Sequence, residues 1–254
     1  MNNNLFYGLM LSAVAGLATT LGSVAGLVVR RPGPWFMSFI LGFSAGVMLL
    51  VSFVELLRSG IEVAGFLAGM AAFFGGMLFM LLLDFFIPHE YKAEHSEVAS
   101  SPGARRLMRT GLLIALGIGI HNLPEGMVAL AGALYDRELG VAIAVAIAIH
   151  NIPEGLAVSV PVYAATGSRS KAFWWSFLSG VSEPVGAVLA AFVLMPFLTP
   201  TLLGVVMAAV AGVMVFISID ELIPVAFSYR REHAAVTGVI VGMAVMALSL
   251  WLLR

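Results

Sequence analysis

The sequence predicts an all-α polytopic membrane protein. It has eight transmembrane helices, with helices 1–3 and 6–8 forming an inverted repeat around a central pair, helices 4 and 5. Three observations carry that prediction. The chain of 254 residues is 61% hydrophobic and only 11% charged, against about 45–50% and about 25% in soluble domains. Apolar runs near the 20 residues that a membrane-spanning helix needs recur eight times along it. One six-residue phrase, rich in groups that are costly in lipid, occurs twice, once in each of the two middle runs.

The eight runs cover roughly 5–29, 35–57, 63–87, 110–133, 139–163, 171–195, 201–223 and 235–253. Several are apolar on every side, so alternation does not separate helix from strand. Their length does, because barrel strands are about 10 residues long and alternate. The first run follows no basic residue and is too long for a signal-peptide core, so it reads as a retained helix. The connectors are short and polar, as at Tyr135-Asp136-Arg137-Glu138 and Tyr229-Arg230-Arg231-Glu232. Only 88–109, with Pro, Ser, Gly and mixed charge, reads as a longer, mobile loop. Residues 1–254 therefore form a single transmembrane domain.

Connectors after odd-numbered spans hold Arg30, Arg31, Lys92, Arg105, Arg106, Arg109, Arg169, Lys171, Arg230 and Arg231, whereas the other side holds only Arg58, Arg137 and Arg254. The positive-inside rule then puts loop 88–109 in the cytoplasm and both termini outside it. A net charge of −1 offers no basic face for nucleic acid. With no cysteine, disulfides and thiolate ligands are excluded.

The inverted repeat is read from Ala45-Gly46-Val47-Met48 through Ser52 and Glu55-Leu56 in span 2. These residues align with Ala211-Gly212-Val213-Met214 through Ser218 and Glu221-Leu222 in span 7. The two spans cross in opposite directions, a transporter arrangement whose site lies at the midplane between repeats. GxxxG pairs at Gly22/Gly26, Gly42/Gly46, Gly65/Gly69 and Gly238/Gly242 read as helix packing.

The repeated phrase is His121-Asn122-Leu123-Pro124-Glu125-Gly126 and His150-Asn151-Ile152-Pro153-Glu154-Gly155. Each His lies 11 residues into its span, about 16 Å deep in a hydrocarbon core of about 30 Å. His and Glu four apart, and Asn and Glu three apart, share a helix face. Each Pro frees the carbonyl four residues back. Glu183, before Pro184, lies at the same depth in span 6.

Three carboxylates at one depth, with no Lys or Arg in the middle of any span, need either protons or a divalent cation. Imidazole, carboxylate and amide oxygen suit zinc, iron(II), manganese or cobalt. The group is large enough for two ions bridged by Glu125 and Glu154. A single intramembrane His is more often a packing hydrogen bonder, but this many polar groups at one depth favour metal binding. Glu55, Asp84, Asp220 and Glu221, near span ends, read first as solvated and second as entrance or exit relays. His89 and His95 in the long loop are weaker candidates for picking up ions.

On these residues the chain resembles the ZIP (Zrt/Irt-like) family of divalent-metal transporters. Leu41-Gly42-Phe43-Ser44-Ala45-Gly46 and the run from His150 through Pro161 to Ser168 resemble its bacterial branch. The resemblance implies uptake of zinc into the cytoplasm across a bacterial inner membrane, with iron, manganese, cobalt and cadmium as further substrates and no cofactor. It implies one ion on His121, Glu125, His150 and Glu154, and a second on Asn122, Glu125, Asn151, Glu154 and Glu183. It also implies that a homodimer is common. His150-Asn151 stands where some members carry Gln-Asp, which weakens or shifts the second position. Two rival functions remain open: an intramembrane zinc metalloenzyme, which lacks a His-Glu-x-x-His motif here, and a proton-coupled carrier of a non-metal solute.

Overall fold

The computed structural model describes residues 2–29, 33–86, 119, 122–194, 197 and 199–252. His121, His89, His95, loop 88–109 and most of the expected fourth span before Asn122 lie outside them. Among the described residues, seven helices are long and apolar enough to cross a membrane. They are α1 (Asn2–Val29), α2 (Pro34–Ala64), α3 (Phe66–Phe86), α5 (Arg137–Thr166), α6 (Arg169–Leu194), α7 (Pro200–Ser228) and α8 (Glu232–Leu252). The eighth, α4, is described over 122–135.

Local chemistry sets the ends. Pro34 and Pro200 occupy first turns, where a missing N–H costs nothing. Asp136 caps α5 by accepting from the Leu139 N–H at 2.9 Å, and Thr199 caps α7 by accepting from Leu202 at 3.1 Å. Gly167 (φ 61°) ends α5, and Gly65 (φ 87°) separates α2 from α3. Gly65 is thus a turn residue rather than the packing residue expected from its GxxxG spacing.

Helices α2 and α7 run past the expected ends at 57 and 223. Each passes through a π-helical segment, Ser52–Leu57 and Ser218–Leu222, and the exposed Arg58–Glu62 pair at 2.8 Å supports the extension of α2.

The inverted repeat is visible in reciprocal contacts. A Cβ on Gly46 would overlap the Val239 carbonyl, and one on Gly212 would overlap that of Phe73. One on Gly242 would meet Phe43, and one on Gly76 would meet Ala209. So α2 packs on α8 as α7 packs on α3. Likewise Gly22 abuts Ile152 and Gly155 abuts Thr19 on one side, while Gly186 abuts Leu123 and Gly126 abuts Glu183 on the other. So α1 packs on α5 as α6 packs on α4. Gly16 and Gly180 meet each other's carbonyls, which places the pseudo-two-fold axis between them. Ser52 and Ser218 repeat one bond, each donating to the carbonyl four residues back, at 2.7 and 2.8 Å.

Candidate metal centre

The centre lies where α4, α5 and α6 meet α1. The helix is continuous through Pro153. Glu125, His150 and Glu154 are fully buried, and each offers one ligand atom within 4.8 Å of the other two. His150 Nε2 is 3.0 Å from Glu125 Oε1 and 3.9 Å from Glu154 Oε1. Its Nδ1 is 3.0 Å from the Ala146 carbonyl. A carbonyl only accepts, so the Nδ1 carries hydrogen, and Nε2 faces the carboxylates. Nitrogen and oxygen this close need a shared proton or a shared cation.

Around this group lies a set of oxygens. Asn122 donates its amide N–H to the Ser179 carbonyl at 3.1 Å. Asn151 donates to the Ala15 carbonyl at 2.9 Å and to Glu183 Oε2 at 2.8 Å. Ala15 and Ser179 are themselves related by the repeat. Backbone acceptors thus fix which end of each amide is nitrogen and leave each Oδ1 as an open acceptor. Asn122 Oδ1, Asn151 Oδ1, Glu125 Oε2 and Glu183 Oε1 are buried without a hydrogen-bond partner among the described residues. Buried oxygens in that state are costly unless a proton or cation serves them. Ser44 donates to the His150 carbonyl at 3.4 Å and joins α2 to the centre.

The structure therefore brings together Asn122, Glu125, His150, Asn151, Glu154 and Glu183, while His121 falls outside the described residues. Glu55 lies on the π segment of α2, and Asp220 and Glu221 lie on that of α7. All three are partly buried and engaged, rather than freely solvated. Asp84 lies on α3.

Thr19 was not visible as a site residue. Its place in α1 corresponds to that of Glu183 in α6, because Gly155 abuts Thr19 as Gly126 abuts Glu183. Thr19 is fully buried and its Oγ1 has no partner among the described residues, as is true of Ser12 and Ser23 Oγ. The spacing of Ser12, Thr19 and Ser23 on one helix face is the signal that could have found them.

A multi-pass helical bundle whose inverted halves close on a buried carboxylate–imidazole centre is a transporter architecture. The ZIP zinc transporter family model matches residues 87–250. The chain is 50% identical to a protein named zinc transporter ZupT from Chlorobium phaeovibrioides, the match covering 99% of each chain. It is 49% identical to one of the same name from Lysinibacillus sphaericus over the full length of both, and 45% to one from Streptococcus mutans over 99% of each. The chain belongs to the ZIP zinc transporter family. Membership of a transporter family sets aside the metalloenzyme reading.

Proposed function

We propose that the protein carries zinc into the cytoplasm by alternating access, through a two-ion centre on α4, α5 and α6. The observation that carries this is the buried Glu125–His150–Glu154 group. Tetrahedral zinc with ligands at about 2.0–2.2 Å sets ligand atoms about 3.3–3.6 Å apart, and the separations at His150 Nε2, 3.0 and 3.9 Å, bracket that range. Relatives named zinc transporters at about half identity support zinc as the cargo. His121 would complete the first ion's ligands. The all-oxygen set of Asn122, Asn151 and Glu183, bridged by Glu125 and Glu154, would hold the second.

An oxygen-only position lacking nitrogen is the harder of the two and suits manganese or iron(II) as well as zinc. Glu55, Asp220 and Glu221, on related π segments of the two repeats, would pass ions at the ends of the path, with Asp84 and His89 as further relays. Both termini would lie outside the cytoplasm, following the ten-to-three distribution of Lys and Arg.

Uptake of zinc into proteoliposomes, read by an internal zinc-sensitive dye, tests the function with wild type beside Glu154→Ala. Uptake in the wild type and background flux in a folded variant is the expected result. Bound zinc without flux in the wild type would argue for a sensing or catalytic membrane metalloprotein. Orientation has a clean test because the chain has no cysteine. In intact cells an impermeant maleimide should label Asp136→Cys and spare Ser168→Cys; the reverse pattern would invert the topology.

A further inference from the structure

The α7–α8 turn and the start of α2 border an open cavity of about 440 Å³, lined by Trp35, Phe227, Arg230, Arg231, Glu232 and His233. We infer that this cavity binds the phosphoethanolamine headgroup of a membrane phospholipid. The assignment rests on what the cavity holds and where it sits.

It sits at a membrane boundary, where α7 ends at Ser228, α8 starts at Glu232 and α2 starts at Pro34. Trp35 and Phe227 stay exposed there, at 57% and 41%. Aromatic rings at the end of a span sit at headgroup level.

The cavity is lined by charges of both signs. Arg230, Arg231 and Glu232 are exposed, and no ion pair among the described residues involves any of them. Two guanidinium forks suit a phosphodiester, because they offer paired N–H donors in a fixed plane. A carboxylate in the same cavity would repel a lone phosphate but suits an ammonium carried a few atoms away. A zwitterion of that shape accounts for both signs, and two arginines exclude a metal cation.

The walls are fixed. Ser38 Oγ, fully buried on α2, lies 2.8 Å from the Ala226 carbonyl and 2.9 Å from the Arg231 carbonyl, and its single O–H is shared between them. That hydroxyl ties both flanks of the turn to the helix that carries Trp35.

The fold does not require these charges. The corresponding turn of the other repeat, between α2 and α3, runs Val63-Ala64-Gly65-Phe66 and carries none. Both turns pass through a positive φ, at Gly65 (φ 87°) there and at Arg230 (φ 55°) here. A non-glycine residue is disfavoured there. The turn thus holds Arg230, rather than a glycine, at positive φ beside the cavity.

The test uses the full-length protein in detergent, with lipid adducts counted by native mass spectrometry. The probes are phosphatidylethanolamine, phosphatidylcholine, phosphatidylglycerol and inorganic phosphate. Phosphatidylethanolamine should bind most tightly, because the quaternary nitrogen of phosphatidylcholine offers no N–H to Glu232. Arg230→Gln with Arg231→Gln should weaken it on the order of tenfold or more, from the loss of charge-assisted bonds, and leave zinc uptake intact. Glu232→Gln should remove the preference over phosphatidylcholine. Equal binding of the three lipids, tightest binding of phosphatidylglycerol, or full affinity in the double arginine variant would overturn the inference. Inorganic phosphate that competes fully with the lipid would assign the site to a free anion instead. Thermal melting without added lipid confirms that the variants fold, since all three side chains are exposed.

Discussion

His150 has one nitrogen committed to the backbone and the other turned to the carboxylates. The Ala146 carbonyl holds its Nδ1–H at 3.0 Å, so the ring cannot turn without losing a buried bond. Nε2 is thereby aimed at Glu125 and Glu154 with no choice of tautomer. The two asparagines are fixed in the same way, their amide nitrogens spent on carbonyls and their oxygens left open. This predicts that the two ions separate by mutation. Glu183→Gln should lower bound zinc from about two per chain to about one, while His150→Ala should weaken the other ion; elemental analysis of the dialysed protein reads both. A Glu183→Gln variant that still holds two ions would remove Glu183 from the site.

The phrase residues were legible because they repeat, and because lipid makes a His, an Asn and a Glu conspicuous. Thr19 was not legible, since nothing in its letters resembles Glu183; their equivalence exists only in the packing. Replacing its buried, unpartnered hydroxyl by a methyl in Thr19→Val should leave melting unchanged or raised, measured by thermal denaturation in detergent.

The helices around the centre are held by backbone contact at glycine. Gly126 meets the Glu183 carbonyl, and Gly22 meets that of Ile152, both beside the phrase. A methyl at either position has only backbone to displace. Gly126→Ala and Gly22→Ala should each cost about 1–3 kcal/mol, lower the melting temperature and disturb zinc binding. Gly75→Ala is the control, because nothing lies within 4 Å of its Cβ position and alanine favours helix. Equal melting of all three variants would contradict this account of the packing.

Element existence was readable from apolar run length, but two element ends were not. The ruler stops at Arg58, whereas the helix continues to Ala64 by pairing Arg58 with Glu62. The π segments were also hidden. In a run that is apolar on every side, no stripe records the extra residue per turn. Such segments often mark functional positions, and here they carry Glu55, Asp220 and Glu221.

At the scale of the molecule, the span 2–span 7 alignment already implied opposed halves, and the glycine contacts supply the rest by relating α1 to α6 and α3 to α8. The symmetry is broken at the centre, where α6 carries a carboxylate, Glu183, at the position that α1 fills with the hydroxyl of Thr19. Glu125 and Glu154 are related across the axis, and only the third carboxylate, Glu183, lies on one side of it.

Metal ligands must shed protons to bind, so zinc affinity should fall as pH drops below neutrality, and metal entry should release protons. Vesicles carrying an internal pH dye alongside the zinc dye read both at once. Zinc flux that leaves the pH signal unchanged would exclude obligatory exchange.

The central claim is that the cargo rests on the repeated phrase. Anomalous diffraction at the zinc edge, from crystals grown with zinc, locates the ion directly. The account predicts a peak about 2 Å from His150 Nε2, between Glu125 and Glu154, with a second peak among the oxygens of Asn122, Asn151 and Glu183. A peak confined to other residues, with both positions empty at saturating zinc, would contradict it.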